Sequence, residues 1–170
     1  MPALPPFRIG FGWDSHAFAA GRRLWLGGIE IPHDRGLAGH SDGDVLLHAL
    51  ADALLGALAL GDIGTHFPPE AEALRDAPSA QFVRHALSLA QRQGWRVGNV
   101  DATVILARPK LAPLRAALQE SIAELLGIDG GQVSIKAKTP EGLPWDDLAV
   151  AECVVLLFRP APPPGESVRV

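Results

Sequence analysis

RIGFGWDSHAF, Arg8–Phe18, is an apolar run that ends by setting an acid and a histidine two residues apart. Its first seven residues, RIGFGWD, read as a strand. Side chains at i and i+2 of a strand share a face. Asp14 and His16 therefore project together from the strand's end. A carboxylate and a neutral imidazole are both good zinc ligands; an ordinary water-facing polar pair is the competing reading.

Working outward, RLWLGGIEIP reads as a second strand region broken by a turn or bulge at Gly27–Gly28. The polar, glycine-rich RGLAGHSDGD reads as a loop. A long helix follows from about Gly43 to Leu58, with Ser41 or Asp42 as its cap and Asp44 favouring its positive end. GDIGTHFPPEAEALRDAP breaks periodicity with Gly and Pro and reads as irregular. A second helix spans about Ser79–Gln93, with Phe82, Ala86, Leu89 and Ala90 on one face. VGNVDATVILARP is strand-like, with Asp101, Thr103 and Ile105 on one face and Ala102, Val104 and Leu106 on the other. A third helix covers Pro113–Leu126, with Pro113 suited to the first turn and Gly127 to the stop. QVSIKAKT and VAECVVLLFR complete the strands. Strands and helices neither alternate strictly nor segregate. The order predicts an α+β chain, a small mixed β-sheet with helices packed on one face. No repeat of 20–50 residues is present.

The chain has 170 residues, 48% hydrophobic and 20% charged, which suits one domain with a sizeable core. We expect a single domain over residues 7–159, a flexible tail over 1–6 and a Pro-rich disordered tail over 160–170. A formal charge of −4 argues against a nucleic-acid partner; any anionic substrate must meet local cations, metals or helix N-termini. MPALPPF has no basic segment followed by a long apolar one, so no signal peptide is expected. The most apolar segment, Val45–Leu60, is interrupted by His48 and Asp52 and is too short to span a membrane. The single cysteine, Cys153, lies in an apolar run, where a buried, inert thiol in a reducing cytoplasmic setting is expected.

Asp44, His48 and Asp52 fall at i, i+4 and i+8 of the long helix and form one stripe. The helix is apolar around most of its girth and so is expected to be buried. Two acids and a histidine in such a stripe are costly unless paired or bound to something. A core histidine bonded to one acid would satisfy that condition. So would a metal: with Asp14 and His16, His48 makes three protein ligands, the number that catalytic zinc sites use while keeping a fourth position open. Asp52 or Asp44 could accept the second ring N–H of His48. The chain has no GxGxxG, GxxxxGK[ST], CxxC or HExxH motif. Ser41, after His40, reads by itself as a surface or capping serine.

Three blocks, RIGFGWDSHAF, GLAGHSDGDVLLHALADALLGALALGDIGTHFP and ARPKL, together resemble the 2-C-methyl-D-erythritol 2,4-cyclodiphosphate synthase family of the non-mevalonate isoprenoid pathway. The similarity runs from about Arg8 to Phe158. The resemblance implies a homotrimer with active sites shared between subunits. It implies a phosphorus–oxygen lyase that converts 4-diphosphocytidyl-2-C-methyl-D-erythritol 2-phosphate to the 2,4-cyclodiphosphate and CMP. The implied cofactors are Zn²⁺ and a second divalent ion, Mg²⁺ or Mn²⁺. Matched position by position, the zinc ligands are Asp14, His16 and His48, and the pair near the reacting phosphates is His40 and Ser41. The ribose segment is Asp62, Ile63 and Gly64. The cytosine loop, contributed by a neighbouring subunit, is Leu106, Ala107, Arg108, Pro109, Lys110, Leu111 and Ala112. Thr139 stands beside the phosphates, Glu141 holds the second ion, and Trp145 lies in the loop that follows; Lys138, a local cation for the phosphates, begins Lys138-Thr139-Pro140, where the family has a threonine-rich stretch. The chain departs from the family at FPPEA, Phe67–Ala71, where the family reads FPDTD. It also departs at Trp145–Leu148, a shorter loop that replaces a glycine-rich segment carrying an arginine. That arginine, in some members, contacts an isoprenoid diphosphate. A zinc-dependent phosphohydrolase and a non-catalytic, zinc-stabilised trimeric binding module are the rival readings of the same ligands.

Overall fold

A computed structural model describes residues 5–67 and 77–161. Most of both expected tails, and the FPPEA segment beyond Phe67, lie outside the described residues. Strand β1 spans Phe7–Ala20, and its exposure alternates from Phe7 to Asp14. Its odd positions Ile9, Phe11 and Trp13 are exposed, while its even positions Gly10, Gly12, Asp14 and His16 take the opposite face. The two glycines permit a close approach. A Cβ on Gly10 would sit 1.8 Å from the Ala53 carbonyl oxygen, and one on Gly12 would sit 1.9 Å from that of Ala49. Both carbonyls belong to helix α1, Val45–Ala57. The glycines thus let α1 lie directly on β1, and the next two even residues, Asp14 and His16, reach the ring of His48 near the start of α1.

The remaining elements follow in order: β2 (Leu24–Leu26), β3 (Ile29–Ile31), β4 (Arg35–Leu37), α2 (Ile63–His66), α3 (Ala80–Arg92), β5 (Arg96–Ile105), α4 (Arg115–Leu126), β6 (Val133–Lys138) and β7 (Leu148–Phe158). Five strands form one sheet in the order β4-β1-β7-β5-β6, antiparallel except for the β5–β6 pair. The sheet is mixed, as expected. A single core of buried Leu, Val, Ile and Ala side chains lies between it and the helices. Its opposite face exposes Phe7, Ile9, Phe11, Trp13, Val154 and Phe158.

Four boundaries differ from the sequence reading. RLWLGGIEIP is a two-stranded hairpin, β2–β3, apart from the main sheet. Positive φ at both Gly27 and Gly28 (60° and 82°) gives the tight turn whose twist suits a hairpin. Part of the loop after it forms β4, which pairs Leu37 with Phe18 and extends β1 past the expected strand end. Helix α1 is capped by Asp44, not by Ser41 or Asp42: Asp44 is extended (φ −68°, ψ 90°) and its carboxylate accepts from Leu47 N–H. Inside the segment read as irregular, Asp62 caps the one-turn helix α2 by accepting from Thr65 N–H. Cys153 is fully buried, and burial pushes its thiol pKa up to about 12.

Candidate metal and nucleotide site

Asp14, His16 and His48 converge. Asp14 Oδ2 lies 3.0 Å from His16 Nε2 and 2.9 Å from His48 Nδ1, and the two ring nitrogens are 2.9 Å apart. The imidazoles meet edge to face, with centroids 5.0 Å apart. All three side chains are partly open, 26%, 18% and 14% exposed. Burial alone would raise the Asp14 pKa, but hydrogen bonds from both histidines, aided by charge attraction, more than offset it and hold the carboxyl well below the usual range. One carboxylate and two imidazoles form a zinc-type donor set. A tetrahedral ion with bonds of about 2.0–2.2 Å spaces its ligands about 3.4 Å apart. Ring movements of a few tenths of an ångström would admit it, so the donors fit a metal. Among the described residues this is the one cluster of three or more His, Cys, Asp or Glu that could hold an ion.

The far side of His48 holds a correction. Neither Asp44 nor Asp52 accepts its second ring nitrogen. Asp44 is wholly buried and spends its carboxylate on the N–H groups of Gly27, Gly28 and Leu47, tying the hairpin to α1. Burial raises its pKa, and those three donors partly counter this. Asp52 accepts from Ile63 N–H and so holds the α2 segment. The neighbours of His48 Nε2 are instead Ser79 Oγ at 2.9 Å and Ser41 Oγ at 3.0 Å. Ser79 stands at the cap position of α3, yet its hydroxyl makes no cap bond. Its position 31 residues beyond His48, on a different element, left no sequence signal for this role.

The other expected residues occupy several places. His40 is exposed beside buried Ser41. Asp62, Ile63 and Gly64 start α2, where the Thr65 hydroxyl and N–H lower the Asp62 pKa. Leu106, Ala107, Pro109, Lys110, Leu111 and Ala112 line one groove of about 370 Å³ with Lys138, Thr139 and Glu141. The Thr139 hydroxyl donates to Glu141 Oε1, and Glu141 sits at φ 50°, unusual for a non-glycine residue. Arg108 and Trp145 stand outside that groove. Arg108 lines a larger cavity of about 460 Å³ with Arg35 and Asp147, and those two already pair at 2.7 Å. The triad and the groove share no lining residue.

The YgbB family model matches residues 7–157. The chain belongs to the YgbB family. A relative from Xanthomonas campestris pv. campestris, named 2-C-methyl-D-erythritol 2,4-cyclodiphosphate synthase, is 56% identical over 156 residues, covering 90% of this chain and 96% of that protein. A solved structure of a 2C-methyl-D-erythritol-2,4-cyclodiphosphate synthase in a form bound to CDP superimposes with TM-score 0.84. It is 42% identical, and the match covers 88% of this chain and 99% of that one. The CDP complex of IspF from Plasmodium falciparum matches at 34% identity and TM-score 0.81, over 94% of this chain and 100% of that one. These members of the family share its mixed α+β architecture. Among the described residues no helix is long and apolar enough to cross a membrane.

Proposed function

We propose that the protein is a 2-C-methyl-D-erythritol 2,4-cyclodiphosphate synthase of the non-mevalonate pathway. The observation that carries this reading is the convergence of Asp14, His16 and His48 at a partly open rim, within a chain over half identical to enzymes of that name. The 2-phosphate of 4-diphosphocytidyl-2-C-methyl-D-erythritol 2-phosphate attacks the β-phosphorus of the same molecule. The bond from that phosphorus to the bridging oxygen breaks, and CMP leaves with the oxygen, which makes the enzyme a phosphorus–oxygen lyase. A phosphate with a second pKa near 6 is already a nucleophile, so the protein needs no strong base. Its task is to hold one molecule's two ends in line and to offset charge.

Asp14, His16 and His48 would hold Zn²⁺, and Glu141 would hold Mg²⁺ or Mn²⁺; these ions supply Lewis-acid charge stabilisation. The Asp62 segment meets the ribose, His40 and Ser41 border the phosphates, and Lys138 and Thr139 flank the diphosphate. The groove along Leu106–Ala112 takes the cytosine, as befits a family with CDP-bound members. Because triad and groove are separate linings in one chain, the site joins the triad of one subunit to the groove of the next. A homotrimer would provide that join and would cover apolar Ile9, Phe11 and Trp13. A cytoplasmic setting accords with the single, buried thiol.

Incubating the full chain with the cytidyl substrate, with and without chelator, and following ³¹P NMR tests the reading. The expected result is CMP plus a cyclic diphosphate, abolished by chelation. An acyclic product with free phosphate would establish the phosphohydrolase, and a metal-loaded protein without turnover would establish the binding module.

A further inference from the structure

The network behind His48 has a direction. Ser79 is fully buried, and its hydroxyl lies 2.5 Å from Asp42 Oδ1, 2.9 Å from His48 Nε2 and 3.1 Å from Ser41 Oγ. Asp42 as carboxylate can only accept. It takes the Ser79 N–H on Oδ2 at 3.0 Å and the Asp44 N–H on Oδ1 at 3.2 Å. The single Ser79 hydroxyl proton therefore points at Asp42, by far its shortest contact. That leaves only lone pairs on Ser79 Oγ to face His48 and Ser41. Ser41 Oγ lies 3.1 Å from Ser79 Oγ and 3.0 Å from the same His48 Nε2, and accepts from Gly43 N–H at 3.2 Å; with its own O–H turned to Ser79 it fills one of those lone pairs and leaves an oxygen lone pair toward the ring. The other is met by an N–H on His48 Nε2. Every donor and acceptor on the Nε2 side of the ring is then matched, as a buried polar network requires.

We infer that Ser79, aimed by Asp42, is a positioning residue that holds a proton on His48 Nε2, so that Nδ1 is the nitrogen left to take the ion shared with Asp14 and His16. The inference rests on the metal reading of that triad, because only a ligand at Nδ1 gives the direction a use. Carboxylate-backed partners of this kind set the ring orientation and tautomer of metal-bound histidines. Here the carboxylate acts through an intervening hydroxyl. The same clamp anchors the start of α3: Asp42 N–H donates to the Ala77 carbonyl at 3.2 Å while its carboxylate holds both the N–H and the hydroxyl of Ser79. The bond that secures α3 to the loop before α1 thus also orients the metal ligand.

The test uses the full chain loaded with zinc alone and labelled with ¹⁵N at histidine. In the wild type, the His48 Nε2–H proton should resonate downfield, exchange slowly and show a cross-peak to the Ser79 methylene. Ser79→Ala should move that resonance upfield, speed its exchange, and weaken zinc affinity by about 10–100-fold, with activity largely regained at saturating zinc. A structural role alone would lower the unfolding temperature of Ser79→Ala without moving the resonance or the affinity, and that result overturns the inference. If Ser79→Ala does not fold, the wild-type spectrum decides: a rapidly exchanging Nε2–H, or none, refutes it. Wild-type protein that takes up no zinc removes the metal reading and this inference together, whereas wild-type zinc binding with unchanged affinity in Ser79→Ala removes this inference alone.

Discussion

At one end of the five-stranded sheet, Asp14 and His16 on β1 belong to a web of side-chain hydrogen bonds that runs through His48, Ser41, Ser79 and Asp42. Two strands away, the groove at the ends of β5 and β6 rests on buried Leu106 and Leu111 and is otherwise lined mostly by small or exposed side chains. Asp14 and the groove's Ala137 stand in the same cross-strand row, through Ala151 and Val104. The two regions therefore differ in construction and not in their place in the fold. Donors that must share one ion gain from being fixed beforehand, since each tenth of an ångström they need not travel spares reorganisation. A surface that reads a base must keep polar groups free for the ligand. On the proposed function, the hydrogen-bonded rim and the open groove are two halves with different duties.

Removing a ligand from the rim is the harshest way to break this comparison. His48→Ala should lose zinc and about 10³-fold in turnover, the several kcal/mol of charge stabilisation that a Lewis acid contributes. Groove binding of cytidine nucleotide, followed by calorimetry, should be unchanged; a loss there would mean the two regions are not separable. Next comes the contact that brings α1 to β1. Gly12→Ala places a methyl against the Ala49 carbonyl and should destabilise the fold by about 3 kcal/mol, read as a fall in the denaturant midpoint. A neutral result would mean that the helix is not held where the triad needs it.

Glu141→Gln, on the groove side, should cost about 10–100-fold in turnover at limiting Mg²⁺. High Mg²⁺ should recover part of the loss, and zinc content should stay at the wild-type level. Normal activity at limiting Mg²⁺ would remove Glu141 from the second ion. The smallest effect belongs to the exposed Asp101–Lys136 pair, 2.7 Å apart on β5 and β6. The bond from Lys136 lowers the Asp101 pKa, so its stabilisation is present at neutral pH and is lost as pH falls and the folded carboxyl protonates. Lys136→Met should cost about 0.2–1 kcal/mol at pH 7, and the difference from wild type should close below about pH 4. A difference that persisted there would show that packing, and not charge, is involved.

The sequence exposed the rim better than its support. Period-2 alternation was enough to put Asp14 and His16 on one face, and an otherwise apolar helix drew attention to His48. Helical spacing favours Asp44 and Asp52 as partners of His48, whereas in the fold hairpin and α2 N–H groups claim both carboxylates. Ser79 carries a common side chain at what reads as a helix start, and only the fold brings it to the ring. Strand β4 escaped because three residues within a Gly-rich stretch make no periodic pattern, and pairing with the end of β1 decides their state. Helix α2 escaped for a similar reason: one turn of IGTH, set between glycine and the following prolines, depends on the Asp62 cap.

Whether the rim and the groove make one site across two subunits is tested most directly by complementation. His48→Ala subunits keep the groove. Ala137→Trp subunits keep the triad but fill the groove of about 370 Å³. Each variant alone should be inactive. In a ring that joins the triad of one subunit to the groove of the next, an equal mixture with confirmed subunit exchange places intact halves together at about one site in four, so about a quarter of wild-type activity should return. No recovery after exchange would contradict the account and place the whole site within a single chain.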